Sequence, residues 1–117
     1  MSKRKPVDVE YFPVQSPTGA RRGTDLGDVA YTLLPYTAIR RYAEVMAEGR
    51  EKYGEYNWEK GFGIRPLLEH GLEHIFKFLD GDRSEDHLGH ALWNIAAAVH
   101  SEERWPELNT DLRPVKT

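Results

Sequence analysis

Cysteine is absent from the 117 residues. That excludes disulfides, thiolate metal ligands and a cysteine nucleophile. Long apolar runs are also missing, and no stretch approaches the roughly 18 apolar residues of a membrane span. The basic start MSKRKPVDVEYF has no apolar run behind it and does not read as a signal peptide. Excess positive charge is lacking too: the net charge is −3 with histidine neutral, which gives no general electrostatic reason to bind nucleic acid. No G-x-S-x-G elbow, phosphate loop or G-x-G-x-x-G occurs. The H-E-x-x-H zinc motif fails on register in Glu69-His70-Gly71-Leu72-Glu73-His74, and Asp86-His87 reverses the His-Asp order of metal-dependent phosphohydrolases. These absences leave a soluble cytoplasmic domain as the expectation, with no membrane and no nucleic-acid partner.

With 39% hydrophobic and 30% charged residues, the chain suits one modest core. Residues 1–35 read as an irregular arm, because four prolines and Gly19, Gly23 and Gly27 interrupt any periodicity. Three helices follow. The first spans residues 36–53, with Ile39, Tyr42, Met46 and Gly49 on one face and Gly54 as its stop. The second spans 66–79, with Pro66 at its first position and Leu68, Gly71, Leu72, Ile75 and Leu79 as its apolar face. The third spans 85–102, capped by Ser84, with Leu88, Leu92, Ile95 and Val99 as its apolar face. No convincing strand is present. The expected organisation is all-α: an arm over 1–35, a helical domain over 36–102 and a tail over 103–117.

Four of the five histidines, His70, His74, His87 and His90, lie on the second and third helices. Histidines three or four apart on a helix face one side and can share a metal. His70, Glu73, His74 and Lys77 form one stripe; His87, His90 and Asn94 form another. The tight turn makes the helices antiparallel neighbours. Counting outward from it, His74 comes level with His90 and His70 with Asn94. Imidazole with carboxylate suits Zn, Mn, Co or Fe, whereas an all-oxygen set suits Mg. The loop over 54–65 adds Tyr56 and Trp58 to stack on a base, Asn57 to bond its edge, and Lys60 and Arg65 to meet phosphate.

Residues 22–102 resemble the phage-associated dATP/dGTP diphosphohydrolases, which are grouped with the MazG-like all-α pyrophosphohydrolases. The resemblance rests on Lys52, Tyr53, Gly54, Asn57 and Trp58 as K-Y-G-x-x-N-W. It rests equally on His87, Leu88, His90, Ala91, Trp93 and Asn94 as H-L-x-H-A-x-W-N. It implies an antiparallel MazG-like bundle that hydrolyses a purine deoxynucleoside triphosphate, dGTP or dATP, to the monophosphate and pyrophosphate. It also implies a homodimer or larger assembly, in a host cytoplasm if the chain is phage-encoded. Laid on the MazG pattern E-x-x-E and E-x-x-D, the metal positions become His70, Glu73, His87 and His90, of which only Glu73 keeps a carboxylate. The implied cofactor is a divalent ion, Mg or Mn, with Co or Zn admitted by the histidines. Glu73, His87, His90 and Lys52 are the implied catalytic residues, with Glu69 and Asp86 as further candidate bases. Arg22, Lys52, Tyr53, Asn57, Trp58, Lys60 and Asn94 are the implied substrate contacts.

Two other readings remain: a nucleotide hydrolase cutting at a different phosphate, and a non-catalytic helical module that binds nucleotide or protein.

Overall fold

The computed structural model describes residues 14–15, 17–22, 28–110 and 112–116, with the side chains of 14, 15, 21 and 22 left undescribed. The chain divides into two compact units, residues 1–35 and 36–117. In the first, β1 (Val14–Gln15) pairs antiparallel with β2 (Arg21–Arg22), and a 3-10 turn covers Tyr31–Leu33.

The second unit is all-α: α1 (Tyr36–Tyr53), α2 (Ile64–Leu79) and α3 (His87–Arg104) pack together. α1 ends where Gly54, at φ +87°, turns its N–H onto the Arg50 carbonyl. α2 begins two residues before Pro66. Proline in a first turn costs nothing, because that N–H has no partner inside the helix. Its end is a Schellman turn: Gly81, at φ +94°, bonds Phe78 O and Asp82 bonds Lys77 O. α3 starts at His87, later than expected, and its cap is Asp86, whose side chain accepts from Gly89 N at 2.9 Å. Ser84 is not the cap. Its own N–H is taken by Asp82 Oδ1, which shapes the turn instead.

The helix faces differ from the expected ones. The seam between α2 and α3 is lined by small and polar residues. Gly71, Ala91, Ala97 and Ala98 are buried there with His87, Asn94 and Ser101. A β-carbon on Gly71 would come to 3.3 Å from that of Asn94, so this glycine sets the closeness of the two helices. Ile64 and Leu67 complete the core cluster, with Phe62, Leu68 and Trp93 against it. The stripe Leu88, Leu92, Ile95 and Val99, expected inside, is 37–53% exposed, and Leu72 and Leu79 are exposed as well. Because small residues bring the backbones together, the large ones are left on an outer face. On α1 the buried residue is Val45, whereas Ile39 and Tyr53 are exposed.

Beyond α3 the chain returns to the loop before α2. Trp105 Nε1 donates to Glu59 O at 2.8 Å, and Ser101 Oγ accepts from Phe62 N at 3.2 Å. No helix among the described residues is long and apolar enough to cross a membrane.

Candidate functional site

The penultimate turn of α2 and the first turn of α3 face each other because the connection of residues 80–86 is short. That brings three imidazoles together. His74 Nδ1 lies 3.0 Å from His87 Nδ1, and the His74 and His90 rings stack at 18° with centroids 5.1 Å apart. Glu85, in the turn, brings its Oε1 to 3.4 Å from His74 Nδ1, 3.8 Å from His87 Nδ1 and 3.5 Å from His90 Nδ1. Among the described residues, His74, Glu85 and His87 are a group whose ligand-type atoms all lie within 4.8 Å of one another. Burial holds the His74 pKa below the usual histidine range, opposed by the Glu85 charge.

Carboxylates surround this core. His87 is 2% exposed, and its Nε2 lies 3.2 Å from Asp82 Oδ2, off the line of a good hydrogen bond. Hydrogen bonds from Ser84, and then the nearby His87 ring, hold Asp82 down to about 2. His90 Nδ1 lies 2.7 Å from Asp86 O, and its Nε2 lies 3.1 Å from Glu48 Oε2 on α1. Asp86 takes a two-pronged ion pair from Arg41 of α1, with Nε at 3.0 Å from Oδ2. That pair, with the Gly89 amide, holds Asp86 at about 2. Asp86 is therefore spent on positioning, and its depressed pKa makes it a poor base.

One helical turn past His90, Trp93 enters a cavity of about 320 Å³. Its other walls are Ala43, Met46, Ala47, Gly49, Arg50 and Tyr53 of α1, and residues 54–58 of the following loop. That size and this apolar, aromatic lining with a few polar groups suit a small planar ligand. The aromatic rim is held in place: Trp58 meets His100 edge-on at 4.9 Å and Tyr56 at 6.4 Å. Tyr56 sits at φ +59°, a left-handed conformation that costs a non-glycine residue about 1 kcal/mol or more.

Of the residues singled out from sequence, His87 and His90 enter the histidine cluster. Tyr53, Asn57 and Trp58 line the cavity. His70 and Glu73 do not join the cluster: both are exposed, and Glu73 pairs with Lys77 at 3.2 Å. Lys52 and Lys60 are exposed and are not among the cavity's lining, which takes Arg50 instead. Asn94 is buried in the helix seam, where its amide donates to His90 O at 2.8 Å. The Arg22 backbone lies in β2; its side chain lies outside the described residues.

Sequence reasoning gives Glu85, Asp82, Arg41, Arg50 and Trp93 no site role, and it places His74 in a histidine stripe that can share a metal but leaves it out of the metal positions implied by the resemblance. Within the turn over 80–86, Glu85 stands two residues before His87, and that spacing is the local signal for it. The Arg41–Asp86 pair, 45 residues apart, leaves no local trace.

A family model described as dATP/dGTP diphosphohydrolase, N-terminal, matches residues 18–111. No curated protein and no solved structure matches the chain.

Proposed function

The chain belongs to the dATP/dGTP diphosphohydrolase N-terminal family, and on that premise we propose that it hydrolyses a purine deoxynucleoside triphosphate to the monophosphate and pyrophosphate with a divalent cation. The observation that carries this reading is the pairing of an aromatic cavity with an imidazole–carboxylate cluster less than two helical turns away along α3. Tyr53, Trp58 and Trp93 offer ring faces to a purine, and Asn57 offers an amide to its edge. Arg50 at the wall, with Lys52 and Lys60 nearby in sequence, offers positive charge to the phosphates. His90, held between Asp86 O and Glu48, is oriented to hold or pass a proton. A divalent cation, when bound, neutralises phosphate charge and activates water. The donors present are two imidazoles and one carboxylate, which fit a zinc-, cobalt- or manganese-type ion better than magnesium.

A panel of deoxynucleoside and ribonucleoside triphosphates with Mg, Mn, Co and Zn, read by product identity, tests the reading. The expected products from dGTP or dATP are the monophosphate and pyrophosphate. Orthophosphate or tripolyphosphate as product overturns it, and so does thermal stabilisation by nucleotide with no product at all.

We further propose a homodimer or larger assembly, supported by the apolar face left outside the α2–α3 hairpin.

A further inference from the structure

We propose that His74, Glu85 and His87 form a resident site for one transition-metal ion of the zinc and cobalt class. This site is separate from any magnesium that arrives with a triphosphate. The spacing of the donors is the first argument. His74 Nδ1 and His87 Nδ1 are 3.0 Å apart, and Glu85 Oε1 lies 3.4 and 3.8 Å from them. A tetrahedral ion with bonds of about 2.0–2.1 Å holds its donor atoms roughly 3.3–3.4 Å apart. Octahedral magnesium at the same bond length requires neighbouring donors at roughly 2.9 Å and prefers oxygen. The three observed separations centre on the tetrahedral value, and two of the three donors are nitrogen.

The second argument is proton placement. Two Nδ1 atoms at 3.0 Å must share a proton or face a cation. Asp82 stands on the far side of the buried His87 ring, 3.2 Å from Nε2. The Ser84 N–H donates to its Oδ1 at 2.8 Å and holds the carboxylate in that position. A carboxylate there favours the tautomer with the proton on Nε2, which turns the Nδ1 lone pair toward His74 and Glu85. Carboxylate behind histidine is the usual support of a zinc-bound imidazole.

The third argument separates His90 from the set. Its Nδ1 faces the Asp86 carbonyl at 2.7 Å, so that nitrogen carries a proton and cannot ligate. Its Nε2 faces Glu48 on another helix. His90 stacks on His74 and fixes that ring without donating to the ion. Three protein donors leave a position open, and the half-exposed Glu85 side chain gives the ion a way in.

The proposal stands independently of the hydrolysis reading, since the ion binds without nucleotide. The test is titration of metal-stripped full-length protein with Co²⁺, followed by visible absorption, with Zn²⁺ competition and calorimetry. One ion per chain with the strong bands of four-coordinate cobalt, displaced by zinc and not by millimolar magnesium, is the expected result. His74→Ala and Glu85→Gln should each weaken binding by about tenfold or more, while His70→Ala leaves it unchanged. Absence of those bands, displacement by magnesium, or equal loss in His70→Ala overturns the site. Circular dichroism on each variant separates loss of the ligand from loss of the fold. Failure of dNTP turnover in a protein that binds cobalt this way would overturn the reaction and leave the site standing.

Discussion

Asp86 shows how much one side chain can be asked to do. It caps α3 through Gly89 N and ties α1 to that cap through Arg41, and the two histidines of α3's first turn follow it directly. Gly89 is the counterpart: a β-carbon there would lie 2.3 Å from Asp86 Oδ2. Gly89→Ala therefore sets two effects against each other. Helix propensity gains up to about 1 kcal/mol. Loss of the cap costs about 1–2 kcal/mol, and the displaced carboxylate also releases Arg41. Loss wins, so Gly89→Ala should lower the denaturant midpoint, with a net cost of about 1 kcal/mol. Arg41→Met should act in the same direction at neutral pH. The sign follows from the depressed Asp86 pKa. Its contribution is fully present above the unfolded carboxylate range near 3.8 and is lost as pH falls toward about 2. The Arg41→Met penalty, measured by urea unfolding, should therefore persist at pH 5 and vanish near pH 2. Little of this was legible beforehand. Histidine spacing points to the two helices on which the histidines gather, and counting from the turn puts His74 level with His90, as the stacked rings have it. Spacing could not choose between His70 and His74, because helix rotation about the seam is set by Gly71 and the alanines, not by the histidines.

At the scale of elements, helix existence and order were readable, since prolines and glycines mark each stop. The faces were not. Size is a poor sign of burial here, because the α2–α3 seam selects small side chains, and the leucines of α3 lie outside. The tail was likewise unreadable, because its hold on the loop is made by one indole. Trp105 covers Gly61, whose added β-carbon would lie 2.5 Å from the ring, and donates to Glu59 O. The loop it braces continues from Tyr56, Asn57 and Trp58 of the cavity. Trp105→Ala should therefore destabilise the fold by roughly 1–3 kcal/mol, less than a fully buried tryptophan would. It should also weaken purine nucleotide binding severalfold by loosening the aromatic rim. Thermal unfolding with and without dGTP checks both. Normal nucleotide affinity in a destabilised variant would show that the brace is purely structural.

For the molecule as a whole, the misplaced leucines carry the argument. Leu72, Phe76 and Leu79 share one side of α2, and Leu88, Leu92, Ile95 and Val99 share one side of α3. The helices are antiparallel, so equal offsets from the seam bring both stripes to the same face of the hairpin. α1 takes the other side, where Arg41 and Glu48 meet Asp86 and His90. Seven large apolar residues on one face exceed scattered single exposure, and they are what supports the proposed self-association. A two-fold contact is self-complementary, so such a face needs no second kind of partner. If the proposed assembly forms through this face, Leu92→Asp with Phe76→Asp should convert it to monomers, because each pairing would then bury carboxylates without partners at a cost of several kcal/mol. Sedimentation equilibrium decides it: a wild-type chain running as monomer at tens of micromolar overturns the proposal. The charged variant also separates assembly from metal binding. His74, Glu85 and His87 all come from one chain, so the monomeric variant should keep the cobalt spectrum of the parent.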